Sequence, residues 1–115
     1  MIDLAAIADI FSLYKKHGWT LRRILVTPEL EKALAATQND LLQAVEKRRS
    51  DIDGAWFSRA SDADRETWEL RLLGPTPFAL LDVIGKSASE TEREEALTHI
   101  EEKMREFNSR RAPGH

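Results

Sequence analysis

The chain has 115 residues, 42% hydrophobic and 32% charged, with 17 Lys and Arg against 20 Asp and Glu, a net charge of -3 and no cysteine. A chain of this length buries roughly two-thirds of its unfolded surface and supports one core, so residues 1–115 read as a single domain with 110–115 as a frayed tail. The missing basic surplus argues against general nucleic-acid binding. The missing cysteines exclude disulfides, thiol nucleophiles and thiolate metal centres.

The first residues carry no basic n-region, and no stretch approaches the roughly 20 apolar residues of a membrane span. The expected location is therefore the cytoplasm, without a membrane. Leu4, Ile7, Ile10, Phe11 and Tyr14 recur at helical spacing and predict a helix over 2–17, closed by Lys15, Lys16 and His17 in its last turn and Gly18 as a stop. Trp19 to Val26 is bulky, β-branched and bounded by Gly18 and Pro28, which predicts a strand. Its end, Ile24-Leu25-Val26, is apolar on both faces, as in an interior strand.

Thr27, Pro28, Glu29 and Glu31 form a helix start. The helical pattern of 28–49 is interrupted at Thr37-Gln38-Asn39-Asp40, so it reads as one helix or, preferably, two, ending in the cationic Lys47, Arg48 and Arg49. From Ala55 the period changes to two. Ala55–Ala60 and Arg65–Leu73 are strands around a 61–64 hairpin loop, the second placing Trp68, Leu70 and Leu72 on one face and Thr67, Glu69 and Arg71 on the other. Gly74-Pro75-Thr76-Pro77 is a turn whose Thr76–Pro77 isomer the sequence leaves open, and Phe78–Ile84 is a third strand. A capping box at Ser89 and Glu92 opens a final helix with Leu97, Ile100, Met104 and Phe107 as its buried stripe. The expected fold is α+β: a four-stranded, mainly antiparallel sheet, made of the first strand plus a three-stranded meander, with three or four helices largely on one face.

Candidate chemistry is sparse. Asp53 with the Glu69-Leu70-Arg71 step matches the outline of a metal-dependent nuclease, in which carboxylates on adjacent strands hold a divalent cation and a neighbouring cation positions phosphate. The fixed charge of Arg71 suits that role less well than lysine, and a solvated sheet face shows the same pattern. Asp62, Asp64 and Glu66 lack the glycine and the ligand number of a calcium loop. Glu95 and His99 share a helix face without a second histidine. Arg22, Arg23, Lys47, Arg48 and Arg49 could form an anion site, although alternation sends Arg22 and Arg23 to opposite faces.

Trp19, Trp56 and Phe57 remain as interface candidates, because aromatics dominate contact hot spots. With no assembled catalytic set and no cofactor or metal motif, the sequence reads as a small protein-interaction or regulatory module, binding a protein partner or a second copy of itself. A phosphodiesterase using Asp53, Glu69 and Arg71, and a small-ligand binder, are the alternatives.

Overall fold

The computed structural model describes residues 3–36, 45–74 and 77–111. Helix α1 (Leu4–Lys16) is capped by the Asp3 carboxylate, which accepts the Ala6 N–H, and ends at Gly18 in the left-handed region, φ 85°. Strand β1 (Thr20–Val26) leads into α2 (Pro28–Ala35), where the Thr27 hydroxyl accepts the Leu30 N–H and proline takes the first turn. Strand β2 (Glu46–Arg49) follows, then β3 (Gly54–Ala60), β4 (Arg65–Leu72) and β5 (Ala79–Gly85). Helix α3 (Glu90–Arg111) closes the chain, and its Ser89 and Glu92 cap one another's backbone N–H groups as the capping box requires.

The α+β class and the β3-β4-β5 meander are as expected, and three details differ. The sheet is mixed and has five strands in the order β2-β1-β3-β4-β5, because Glu46–Arg49 pairs in parallel with Arg23–Val26. Lys47, Arg48 and Arg49 thus lie in an edge strand and not at a helix C-terminus. All four β2 residues are exposed, so no apolar period marks the strand; the ladder to β1 and ion pairs of Glu46 with Arg23 and Arg48 hold it. Helix α2 ends at Ala35 with Ala36 as its C-cap, and residues 37–44 of the predicted 28–49 helical region lie outside the described residues.

The helices also occupy both faces, not one. Ile7 and Phe11 of α1 and Leu30 and Leu34 of α2 pack with Ile24, Val26, Ala55, Phe57 and Leu73. On the opposite face Leu97, Ile100 and Met104 of α3 pack with Leu25, Trp56, Trp68, Leu70, Leu72 and Ile84. Two-sided coverage explains why β1 ends, and β3 begins, as an apolar segment.

Finally, Arg22 and Arg23 reach the same face. Leu21 opposes Phe57 while Arg23 opposes Trp56, so Arg22 is the extra residue of a β-bulge that breaks the alternation. Arg22 donates to the Ser58 hydroxyl at 3.0 Å and lies 4.6 Å over the Trp68 ring, and Arg23 reaches Glu94 and Glu101 of α3.

Candidate functional site

Helices α1 and α2 cover β1 and β3 but leave the same face of β4 and β5 open. There Thr67, Glu69 and Arg71 of β4 stand opposite Val83, Leu81 and Ala79 of β5, and Leu81 and Val83 are 57% and 51% exposed, with Leu13 of α1 at 54%. These are the three large exposed apolar side chains among the described residues.

The backbone of β5 adds hydrogen-bonding capacity. The Leu72 N–H donates to the Phe78 carbonyl at 2.9 Å and the Lys86 N–H to the Asp64 carbonyl at 2.8 Å. Bonded pairs alternate along an antiparallel ladder, so Leu80, Asp82 and Ile84 turn their backbone groups toward β4, whereas Ala79, Leu81, Val83 and Gly85 turn theirs to the free edge. One of these outward donors is already taken: the Asp82 carboxylate accepts the Val83 N–H at 2.9 Å. The opposite edge, β2, carries four charged residues and is protected in the manner usual for natural sheet edges.

Beside the open face, the last turn of α1, the turn that follows it and strands β3 and β4 border a solvent-open cavity of about 410 Å³ lined by Leu13, Tyr14, His17, Trp19, Arg59 and Glu69. Tyr14 stacks on Phe57 with centroids 4.0 Å apart, and its hydroxyl donates to Glu69. Burial, then the hydrogen bond to Glu69 and its charge, push the Tyr14 phenol well above its ordinary value, so it stays a donor. Arg59 lies 4.4 Å over the Trp19 ring and donates to the His17 carbonyl at 3.2 Å.

The residues singled out in the sequence are distributed as follows. Glu69 and Arg71 do share a face, but Asp53 opposes Leu73, four residues from Glu69 along β4. At roughly 3.3 Å per residue that is about 13 Å, too far for the two carboxylates to share a cation. Asp53 instead accepts the Thr27 N–H at 2.8 Å, Glu69 bonds Tyr14, and Arg71 bonds the Leu72 carbonyl. Asp62 is engaged by the Asp64 N–H and by Arg65 within its own turn. Glu95 and His99 line a broad, open depression along α3 with Glu90, Glu94 and Glu102. Among the described residues no group of three or more His, Asp or Glu is placed to hold a metal ion.

Trp56 and Phe57 are 0% and 1% exposed, covered by α3 and α1 of the same chain; an interface through either ring would require its helix to leave. Trp19 is half-buried and belongs to the cavity. The arginines of the basic set are paired internally: Arg22 with Glu66, Arg23 and Arg48 with Glu46 and Glu94, Arg49 with Glu31. Sequence reasoning missed Leu13, Arg59, Leu81 and Val83 as surface features. Leu81 and Val83 sit in a strand that reads as apolar except for Asp82, which conceals that one side is uncovered.

No protein-family model matches the chain, and neither a curated protein nor a solved structure matches it. No helix among the described residues is long and apolar enough to cross a membrane.

Proposed function

We propose that this protein is a small interaction module that takes up an extended protein segment, from a partner or from a second copy of the chain, as an added strand at β5. The observation that carries the reading is the pairing of outward-facing backbone groups at Ala79 and Leu81 with the exposed Leu81 and Val83 side chains on one edge. Strand addition uses both: the main-chain bonds supply affinity and alternate side chains supply specificity. A cytosolic setting suits a chain without cysteine.

The test is a display selection of short random peptides against the immobilised protein, with a Leu81→Lys, Val83→Lys double variant as counter-target, alongside sedimentation equilibrium of the protein alone. Support would be peptides of alternating apolar pattern that bind the parent and not the variant, or dimerisation that the variant loses. A monomer at submillimolar concentration that enriches no peptide overturns the reading.

A further inference from the structure

The cavity at the end of α1 contains two opposite charges that are neighbours without being partners. Phe57 opposes Glu69 and Arg59 opposes Thr67, so Arg59 and Glu69 are diagonal on one sheet face, with Cα atoms roughly 7–8 Å apart, within reach of long side chains. Such a pair ordinarily closes on itself. Here each member is drawn to an aromatic residue instead, Arg59 to Trp19 and Glu69 to Tyr14, and no ion pair joins them among the described residues. Tyr14 and Trp19 meet edge to face at 5.9 Å, and Tyr14 is fixed from behind by Phe57. Rigid rings therefore hold the two charges apart.

Both charged groups keep unused capacity. A guanidinium that stacks on a ring uses its π face, and its five N–H groups lie in the plane and remain available. One nitrogen, Nη1, donates to the His17 carbonyl; the other N–H groups can still receive a carboxylate through two parallel bonds. On Glu69, Oε2 accepts the Tyr14 proton, while Oε1 receives no hydrogen bond among the described residues. The aliphatic wall is Leu13, 54% exposed.

We propose that this cavity binds a small zwitterion of the α-amino-acid class, its ammonium on Glu69, its carboxylate on Arg59 and an apolar side chain against Leu13 and Trp19. The charge arrangement selects against the simpler ligands. A monoanion that pairs with Arg59 lies beside the Glu69 carboxylate, and a monocation that pairs with Glu69 lies beside Arg59. Only a ligand that carries both charges a short distance apart satisfies both groups. The volume, about 410 Å³, lies within the roughly 300–1,000 Å³ usual for small-molecule sites. The inference stands independently of strand addition at β5.

The experiment is a nitrogen–proton NMR titration of the intact chain with L-phenylalanine, N-acetyl-L-phenylalanine, which lacks the ammonium, and L-phenylalaninamide, which lacks the carboxylate. The expected result is shifts at the Trp19 indole and at the Arg59 and Glu69 amides, with each analogue at least about tenfold weaker, the loss of one good charged contact. Arg59→Gln should abolish the preference over the amide and Glu69→Gln the preference over the acetyl compound. Both variants keep the fold accessible to test, since Arg59 is exposed and glutamine still offers Tyr14 an acceptor. Equal binding of all three compounds, or no shift at these nuclei up to the solubility limit of phenylalanine, overturns the proposal.

Discussion

Arg23 of β1 and Glu94 of α3 form an ion pair in which the arginine side chain is only 10% exposed, and the same guanidinium reaches Glu46 on β2 and lies 3.9 Å from Glu101. Arg48 contacts Glu46 and Glu94 as well. The network therefore ties three elements together where α3 crosses the sheet, and it accounts for a charged residue buried in an otherwise apolar layer. Such a pair is weak evidence for net stability, because desolvation offsets attraction, and Arg23 keeps Glu46 and Glu101 beside it when Glu94 is lost.

The first prediction concerns Glu94→Gln. The hydrogen bond from Arg23, opposed by partial burial and reinforced by the charges of Arg23 and Arg48, holds the Glu94 carboxyl below its ordinary value. A carboxyl depressed on folding contributes stability that is present above its unfolded pKa, about 4.3, and is lost as pH falls through the folded value. Glutamine keeps an acceptor for Arg23 and Glu94 is partly exposed, so the variant should lose about 0.5–1.5 kcal/mol near neutral pH, with a deficit that shrinks in acid below the ordinary glutamate range. Urea denaturation at the two pH values decides; a deficit independent of pH would show that Glu94 acts through packing and not through charge.

Glu101 supports a second prediction. Its carboxylate accepts the indole N–H of Trp56 at 2.7 Å, and Trp56 is completely buried. Glu101→Leu leaves that donor without a partner and should cost about 1–3 kcal/mol, whereas Glu101→Gln retains an acceptor and should cost less. Equal losses in the two variants, measured by chemical denaturation, would assign the effect to something other than the indole bond.

Gly18 isolates a backbone effect. Its φ of 85° is a left-handed conformation, and a Cβ placed there would meet nothing within 4 Å. Gly18→Ala should destabilise by about 1–2 kcal/mol through local strain alone, and Gly18→Asn by less, since asparagine tolerates this region. A neutral Gly18→Ala would mean that the α1–β1 junction rearranges.

What was legible in the sequence is what periodicity encodes. The alternation of Trp68, Leu70 and Leu72 correctly placed one face of β4 in the core, and the Ile24–Val26 run correctly marked a strand covered twice. The capping residues Thr27, Ser89 and Glu92 marked helix starts because their chemistry is local. Features set by pairing were not legible. Glu46–Arg49 has no apolar period, so only the neighbouring β1 ladder makes it a strand. The bulge at Arg22 depends on β3. The hairpin pairs Ala60 with Glu66, one residue beyond a 61–64 loop; that single step aligns Trp56 with Leu70 on the α3 face and brings Arg59 and Glu69 onto the other. The cavity residues come from α1, the turn after it, β3 and β4, and without the register nothing in their spacing unites them.

The last prediction concerns the β5 edge. The Asp82 carboxylate accepts the Val83 N–H, the donor an incoming strand would need, and sets a negative charge in the middle of the strand. Charged side chains of this kind commonly protect natural edges against indiscriminate pairing. Asp82→Ala removes both the charge and the competing acceptor while leaving Leu81 and Val83 exposed, so strand addition at this edge should strengthen. The expected outcome is a higher sedimentation coefficient that rises with concentration, together with slower amide exchange at Leu81 and Val83. Adding Leu81→Lys to the variant should reverse both changes. If Asp82→Ala sediments as the parent does at every concentration and its β5 amides exchange no more slowly, Asp82 is no gatekeeper of the β5 edge.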